Sequence, residues 1–334
     1  MSQPSEQRAP ALEVRHLSVD IASSHGDVHA VRDVSFRVER GQTLCIVGES
    51  GCGKSMTSLA VMDLLPAAAR RRAEVLRVGE HDLARADRRT VNALRGERMA
   101  MIFQEPMTAL NPSLTIGAQM VEAHRHHRGS SAAQARERAV HLLERVGIAS
   151  AAQRLGQYPH QLSGGLRQRV MIAMALMCEP DVLIADEPTT ALDVTIQAQI
   201  LRLLMDLQRE TGVAIVLVTH DLGVVARVAH KVAVMYAGRI VEEGPTAEVF
   251  GRPRHPYTRG LLGCIPVPGR VAPGGHLGII RGTVPALVGE LRGCTFRERC
   301  DAARPTCAHD DPPRRSGAAG HAWSCILEEE EAVS

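Results

Sequence analysis

Hydrophobic and polar residues alternate over two stretches near the start of the chain. Residues 12–19 read Leu-Glu-Val-Arg-His-Leu-Ser-Val, and residues 30–38 read Ala-Val-Arg-Asp-Val-Ser-Phe-Arg-Val. A period of two is typical of strands that bury one face. We therefore predict two antiparallel strands, joined across the turn-like residues 23–27, after a polar and disordered start at residues 1–10.

Short continuous apolar runs follow, which are typical of strands buried on both faces. They lie at residues 43–47, 99–103, 182–185, 214–218 and 231–235. Helical patterns separate these runs, and parallel strands with crossover helices indicate a helix-covered sheet. The predicted fold class is α/β, with an N-terminal antiparallel β subdomain and a parallel-sheet core.

Apolar residues at three- and four-residue spacing dominate the middle of the chain. The stretches 116–127 and 132–146 both show it, so we predict an α-helical subdomain inserted at about 105–175. Proline and glycine then become frequent from 251 to 293, which places a domain boundary near residue 263. The predicted organisation is a main domain at 11–262 and a small, loop-rich extension at 263–334.

The composition argues against direct binding to nucleic acid or lipid and against a membrane-spanning chain. The chain has 334 residues and a net charge of +2, from 39 basic and 37 acidic residues that are interspersed. This balance gives no one-sided field for binding nucleic acid or anionic lipid. Neither a secretory signal nor a membrane-spanning apolar run is visible, so we expect a cytoplasmic chain that reaches a membrane only through a protein partner.

Lysine is rare enough to be informative, since Lys54 and Lys231 stand among 37 arginines. Lys54 lies in Gly-Glu-Ser-Gly-Cys-Gly-Lys-Ser at 48–55, which fits the phosphate-binding loop pattern. Glycines let backbone N–H groups surround phosphates at a helix N-terminus. The Lys54 ammonium is suited to the β- and γ-phosphates, and the Ser55 hydroxyl to Mg²⁺.

Two adjacent carboxylates follow the apolar run at 182–185. Asp186 and Glu187 would lie at the carboxyl end of a buried strand, where ligands bind in such sheets. Asp186 is a candidate for the Mg²⁺ shell and Glu187 for the general base that activates water.

Four further features then occur in a fixed order: Gln104 after a strand, Leu162-Ser-Gly-Gly-Leu-Arg-Gln168 before a helix, Ala191-Leu-Asp193, and His220 after a strand. With them, residues 12–250 resemble the ATP-binding-cassette (ABC) ATPases. The resemblance implies that ATP and Mg²⁺ are bound, that Gln104 contacts Mg²⁺ and water, and that His220 contacts the γ-phosphate. It also implies a signature that meets ATP on a second subunit, and a D-loop aspartate.

The residues that carry these expected roles are as follows. Catalysis is expected at Glu187, His220 and Gln104, and Mg²⁺ binding at Ser55, Gln104 and Asp186. ATP binding is expected at Gly48, Glu49, Ser50, Gly51, Cys52, Gly53, Lys54, Ser55, Met56 and Ile21. The signature is Ser163, Gly164 and Gly165, and the D-loop aspartate is Asp193. Ile21 stands where an aromatic residue usually stacks on adenine, so we expect apolar contact there, with His25 nearby.

Two more segments are similar to one branch, the ATPase subunits of dipeptide, oligopeptide and nickel ABC importers. These segments are Gln104-Glu-Pro-Met-Thr-Ala-Leu-Asn-Pro112 and His255-Pro-Tyr-Thr-Arg-Gly-Leu262. The resemblance implies two membrane-spanning permease subunits, a second ATPase subunit in a heterodimer, and an extracytoplasmic solute-binding protein. It implies no nucleic acid, and it places the chain at the cytoplasmic face of the membrane.

Half of the eight cysteines fall within residues 294–325, at Cys294, Cys300, Cys307 and Cys325. Four thiols in a loop-rich module suggest a metal, because the segment has little apolar material to fold unaided. The C-x5-C-x6-C-x17-C spacing weakens zinc without excluding it. The D-type subunits that the chain resembles carry a four-cysteine iron–sulphur module here, which implies a [4Fe–4S] cluster, with Zn²⁺ or no metal as alternatives.

Two other functions remain open from the sequence. One is a non-transport ABC ATPase of DNA repair or translation, although only 107 residues separate Ser55 from Ser163, too few for the long insertions of repair members. The other is a redox-sensing regulatory ATPase, in which the cysteine module is the functional end. The principal prediction is an ATP-hydrolysing subunit of an importer for peptides or similar solutes.

Overall fold

The computed structural model describes residues 9–190, 192–265, 278–289 and 291–327. Residues 1–8 of the start that we predict to be disordered lie outside these ranges. The strands are β1 Leu12–Ile21, β2 Val28–Val38, β3 Thr43–Val47, β4 Ala69–Arg72, β5 Val75–Val78, β6 His81–Asp82, β7 Met99–Ile102, β8 Val182–Asp186, β9 Ala214–Thr219, β10 Lys231–Tyr236, β11 Arg239–Pro245, β12 Arg314–Ser316 and β13 Ala322–Ser324.

The α-helices are α1 Lys54–Met62, α2 Arg88–Leu94, α3 Pro106–Ala109, α4 Ile116–Arg128, α5 Ala132–Arg145, α6 Ala151–Arg154, α7 Gly164–Ala175, α8 Val194–Thr211, α9 Leu222–Val228, α10 Thr246–Gly251 and α11 Pro256–Gly263. Short 3-10 helices occur at Pro159–Gln161, Arg297–Arg299, Pro305–Ala308 and Ala318–Gly320. None of the helices in the described ranges combines the length and apolar character needed to span a bilayer.

The chain divides into two compact units that alternate along the sequence. The first unit contains residues 1–13, 37–42 and 75–216, and the second contains residues 14–36, 43–74 and 217–334, within the described ranges. The phosphate loop therefore belongs to the second unit, together with the C-terminal cysteines.

In the first unit, the parallel strands β7 and β8 pair in register from Met99 opposite Val182 to Ile102 opposite Ala185. All residues of both strands are buried, as their continuous apolar runs require. Helix α7 packs on β7, and α4, α5 and α3 pack with α7. Helix α5 begins at Ala132 because the side chains of Ser131 and Gln134 form a reciprocal capping box at its start.

In the second unit, five strands form a continuous sheet in the order β12-β13-β11-β10-β3. Strand β10 runs parallel to β3 and antiparallel to β11. The short strands β13 and β12 extend this sheet, with Trp323 opposite Glu242. Trp323, Cys325 and Leu327 form a small buried cluster there. The C-terminal extension, which the sequence predicts to be loop-rich, thus contributes two strands.

The N-terminal part of the second unit contains most of β1 and of β2, which are neighbours in one sheet, and one strand that the sequence did not indicate. Strand β4 pairs antiparallel with β1, from Ser18 opposite Arg72 to Ile21 opposite Ala69. The sequence of β4 is Ala-Arg-Arg-Arg, whose alternating exposure follows from the fold and not from apolar periodicity.

Candidate functional site: a phosphate loop and a strand-end carboxylate pair

The phosphate loop, residues 48–55, connects the fully buried strand β3 to helix α1. Gly53 is the N-cap of α1, with φ at 107°, and no described side chain caps this helix start. The first N–H groups of a helix lack partners within the helix, and the helix dipole makes this end partly positive. The loop therefore presents backbone donors that are suited to an anion such as a nucleotide phosphate.

Two glycines of the loop are required by close backbone approach. A Cβ atom at Gly48 would lie 2.2 Å from the Met235 carbonyl oxygen, and one at Gly53 would lie 2.4 Å from the Ala30 carbonyl oxygen. Both residues also have positive φ, which L side chains rarely adopt. The glycine positions of the motif thus have a steric cause in this chain.

Lys54 is nearly buried, with 5% of its surface exposed. Its Nζ donates hydrogen bonds to the carbonyl oxygens of Gly48, at 2.8 Å, and Glu49, at 2.9 Å. The ammonium is thereby held across the loop, where it can meet a phosphate. The Cys52 thiol is also buried, and burial raises its pKa, so it adds no negative charge to the loop.

Glu49 is held by Tyr257 and Arg299, two residues to which the sequence pattern assigns no individual role. Its backbone N–H donates to the Tyr257 hydroxyl oxygen at 2.9 Å. Its carboxylate accepts two hydrogen bonds from the Arg299 guanidinium, at 2.6 and 2.9 Å. Tyr257 lies in a segment already singled out by resemblance, whereas Arg299 carries no signal that separates it from the other arginines.

The first unit contains the carboxylate pair. Strand β8 ends at the buried Asp186, and Glu187 follows with φ at 45°, in the left-handed region. Gln104 follows the neighbouring strand β7, and its Nε2 donates to Glu187 Oε2 at 3.3 Å. The Thr190 hydroxyl, to which the sequence pattern assigns no role, donates to the same oxygen at 2.8 Å. The pairing of β7 with β8 therefore brings Gln104 and Glu187 together.

The predicted signature residues start helix α7 in the first unit. Ser163 is the N-cap, and its hydroxyl accepts a hydrogen bond from the Leu166 N–H at 3.4 Å. A Cβ atom added at Gly164 would have no described atom outside the neighbouring backbone within 4 Å. Asp193 has a similar place at the start of α8, where its carboxylate accepts from the Ile196 N–H at 2.9 Å. Both helix starts are formed from local sequence and lie at the surface.

The remaining predicted residues lie in the second unit. His220 directly follows β9 and is exposed, and Ser55 and Met56 lie in the first turn of α1. Ile21 ends β1 and is half-buried opposite Ala69. His25 lies in the exposed turn after β1, within 3.0 Å of the Ser24 hydroxyl.

The four C-terminal cysteines line one cavity. They are Cys294, Cys300, Cys307 and Cys325, and they share the lining with Phe296. Burial raises the pKa of Cys294 to about 11, with a further contribution from the neighbouring cysteines. As placed, no three His, Cys, Asp or Glu side chains in the described ranges form a group that could hold a metal ion.

The His255-Pro-Tyr257 segment lies between this cavity and the phosphate loop. His255 and Pro256 line the cavity, while Tyr257 meets Glu49 of the loop. The buried carboxylate of Glu242 accepts a hydrogen bond from the His255 N–H at 2.9 Å. Its other oxygen lies 2.7 Å from His321 Nε2. Burial lowers the pKa of His255 to about 4, so its Nδ1 remains an acceptor for the Tyr257 N–H.

Comparison with known families gives two matches. Residues 31–190 match the family described as ABC transporter, and residues 241–307 match the one described as oligopeptide/dipeptide transporter, C-terminal region. The first match contains the phosphate loop and the carboxylate pair, and the second contains the His255-Pro-Tyr257 segment and Arg299.

Curated relatives cover almost the whole chain. The dipeptide transport ATP-binding protein DppD of Bacillus subtilis is 48% identical, over 96% of this chain and 96% of its own length. The oligopeptide transport ATP-binding protein OppD of Salmonella typhimurium is 47% identical, over 96% of this chain and 94% of its own. The probable D,D-dipeptide transport ATP-binding protein DdpD of Escherichia coli is 45% identical, over 97% and 99%.

Two solved structures have a similar fold. The cassette MJ0796, in a dimeric post-hydrolysis state bound to ADP and Pi, has a TM-score of 0.62 and is 26% identical, over 70% of this chain and 98% of its own. The protein cbiO1 from Clostridium perfringens, part of the ABC transporter complex cbiONQ, has a TM-score of 0.58 and is 29% identical, over 73% and 91%.

Proposed function

The chain belongs to the ABC transporter family, as an ATP-binding and ATP-hydrolysing subunit of the oligopeptide/dipeptide type, and from this premise we propose that it energises the import of peptides or similar solutes. The single observation that carries the proposal is the buried Lys54, whose ammonium is fixed across a loop of backbone donors. Its ammonium has three donors, and a phosphate that enters the loop can accept a hydrogen bond in addition to the two carbonyl oxygens.

We assign the phosphate loop, with Met56 and Ile21, to ATP. The triphosphate would meet the N–H groups of residues 48–55 and the Lys54 ammonium. Ile21 is half-buried at a strand end and offers apolar contact to the adenine, in place of an aromatic ring.

Ser55, Gln104 and Asp186 would hold Mg²⁺. Hydroxyl, amide and carboxylate oxygens are the hard donors that this ion prefers, and the donor set therefore fits it. When bound, Mg²⁺ neutralises charge on the phosphate oxygens. Asp186 is buried at the end of β8.

Glu187 is the proposed general base for the attacking water, with Gln104 and Thr190 as its orienting donors. Both side chains donate to Glu187 Oε2, and this fixes the carboxylate for proton transfer.

His220 is assigned to the γ-phosphate. Ser163, Gly164 and Gly165 are assigned to the ATP of a second subunit, because a helix start at the surface can face an anion outside its own chain. Asp193 is assigned to the same interface.

We propose two kinds of partner: a second, related ATPase subunit in a heterodimer, and two membrane-spanning permease subunits that recruit a solute-binding protein. The chain would then lie at the cytoplasmic face of the membrane, bound through the permeases. The segment after Gln104 is the proposed docking site. Two large apolar side chains near it are partly exposed, Phe103 at 37% and Leu114 at 38%.

Co-expression with the permease and second ATPase subunits tests this proposal. We expect the membrane complex to co-purify with the chain and to hydrolyse ATP, and Lys54→Ala to abolish nucleotide binding without disrupting assembly. Association with ribosomes or DNA-repair proteins in place of permeases would refute the import function. Nucleotide binding that survives Lys54→Ala would refute the assignment of residues 48–55.

We further propose that Cys294, Cys300, Cys307 and Cys325 hold a [4Fe–4S] cluster. All four thiols line one cavity, and cysteine thiolates are the ligands that such clusters use. A single Zn²⁺ draws all four sulphurs to about 2.3 Å from one point. A cluster spreads them, because each thiolate binds a different iron, and this suits four thiols that line one cavity without converging on a single point. Zn²⁺ remains the alternative.

Anaerobic purification tests the cluster. We expect brown protein that contains iron and sulphide, as iron–sulphur proteins do. The double variant Cys300→Ser, Cys307→Ser should lose the colour, whereas Cys264→Ser, a cysteine that does not line the cavity, should keep it. Colourless protein with stoichiometric zinc would establish the zinc alternative, and metal-free protein would exclude both.

A further inference from the structure

Glu49 is an unfavourable residue for the loop in which it lies. It occupies the first free position of the phosphate loop, and its side chain is 31% exposed. A carboxylate so close to a bound triphosphate would repel it, since like charges a few ångströms apart interact strongly where water is partly excluded. The loop can carry this glutamate only if another group offsets its charge.

Arg299 offers that charge in a fixed geometry. Its side chain is only 4% exposed, and its two terminal nitrogens bind the two oxygens of Glu49 at 2.6 and 2.9 Å. Its Nε donates to the Arg281 carbonyl oxygen at 2.7 Å, and its guanidinium lies over the Tyr236 ring, 5.7 Å from the centroid. A bidentate guanidinium with its other donors occupied cannot readily turn away from the carboxylate.

Three aromatic rings pack together next to Glu49 and Arg299. The rings of Tyr236, Tyr257 and Phe296 lie with centroids 4.6 to 5.3 Å apart, and Tyr257 accepts the Glu49 N–H. Phe296 and Arg299 come from the segment that carries Cys294 and Cys300. The C-terminal cysteine module therefore reaches the phosphate loop through the Arg299 side chain, and its Phe296 packs on the Tyr257 ring that accepts the Glu49 N–H.

We propose that Arg299 is a positioning residue of the ATP site, which neutralises Glu49 and holds the phosphate loop in its nucleotide-binding shape. The inference rests on the proposed assignment of residues 48–55 to ATP. It gives the C-terminal module a direct part in nucleotide affinity, in addition to any metal that it holds. A passive structural brace would make the same contacts, but it would not depend on the charge of Glu49.

Removal of the Glu49 charge separates these two roles. Arg299→Gln should weaken MgATP binding about 10- to 100-fold, the range expected for loss of a charged, bidentate hydrogen-bonded pair. The loss should be smaller for MgADP, which carries less negative charge, and it should shrink at high salt. Adding Glu49→Gln to this variant should restore MgATP affinity to within about threefold of the wild type, because the repelling carboxylate is gone.

The measurement is titration of the full chain with MgATP and MgADP at low and high ionic strength, with thermal unfolding to check the fold. Glu298→Gln is the matched control, because Glu298 is an exposed neighbour in the same 3-10 helix and pairs with Arg297 instead of the phosphate loop. The MgATP affinity of this variant should equal that of the wild type. If Arg299→Gln does not fold, Arg299→Lys takes its place; it keeps the charge and should lose less than about fivefold in affinity.

Three results would overturn the inference. They are an MgATP affinity of Arg299→Gln within twofold of the wild type, a double variant no better than the single one, or a loss of more than about fivefold in MgATP affinity with Arg299→Lys. Each of these leaves the proposed ATP site intact as long as Lys54→Ala abolishes binding. Survival of binding in Lys54→Ala would instead remove the ATP assignment itself.

Discussion

Substitution of Glu187 by glutamine isolates the chemistry of this residue from its structural role. Glu187 Oε2 accepts hydrogen bonds from Thr190, at 2.8 Å, and from Gln104, at 3.3 Å. The amide oxygen of glutamine has the same shape and can accept both. The backbone cost of the left-handed conformation, about 1–2 kcal/mol, is the same for both residues. We therefore expect the free energy of unfolding to change by less than about 1 kcal/mol.

The rate of hydrolysis should behave differently, because an amide cannot take a proton from the attacking water. A positioned general base contributes about 10²–10⁴ in rate, which equals about 3–5 kcal/mol of activation free energy. Steady-state phosphate release by the assembled complex measures the rate, and nucleotide titration measures binding, which should be preserved. The expected variant thus binds ATP, keeps its fold and is nearly inactive.

Glu179→Gln is the matched control for this substitution. Glu179 lies in the same unit, also has a positive φ, at 52°, and pairs with Arg138 at the surface. It should leave phosphate release unchanged. A rate for Glu187→Gln within about threefold of the wild type would refute the role of Glu187 as the base, and a large loss of stability would show that its carboxylate has a structural role instead.

Other predictions concern the phosphate loop. Lys54→Arg should weaken ATP binding despite the retained charge, because the planar guanidinium does not fit where the compact ammonium meets the Gly48 and Glu49 carbonyls. Nucleotide titration measures the affinity, and an unchanged affinity would contradict this prediction. Gly48→Ala should reduce both the free energy of unfolding, by about 2 kcal/mol or more, and ATP affinity, since its Cβ would lie 2.2 Å from the Met235 carbonyl oxygen. Gly51→Ala is the milder comparison in chemical denaturation, because open space surrounds its Cα and only its positive φ opposes a side chain.

The sequence by itself determined the nucleotide chemistry of this protein and most of its core strands. Residues that act on phosphate within one loop, such as Gly48 and Lys54, must be adjacent in the chain, so their pattern is visible without a structure. The buried strands β3, β7, β8, β9 and β10 were equally visible, because strands buried on both faces need continuous apolar runs. The predicted domain boundaries and site roles remain predictions.

Only the tertiary structure decided which distant residues act together. Gln104 meets Glu187 across 83 residues because β7 and β8 pair, and Arg299 meets Glu49 across 250 residues because the C-terminal module packs beside β10 and β11. No spacing in the chain encodes either contact, and one arginine among 37 has no local signal. The strands β12 and β13, at three residues each, are likewise too short for a periodic pattern, and they form only because β11 offers an edge with which to pair.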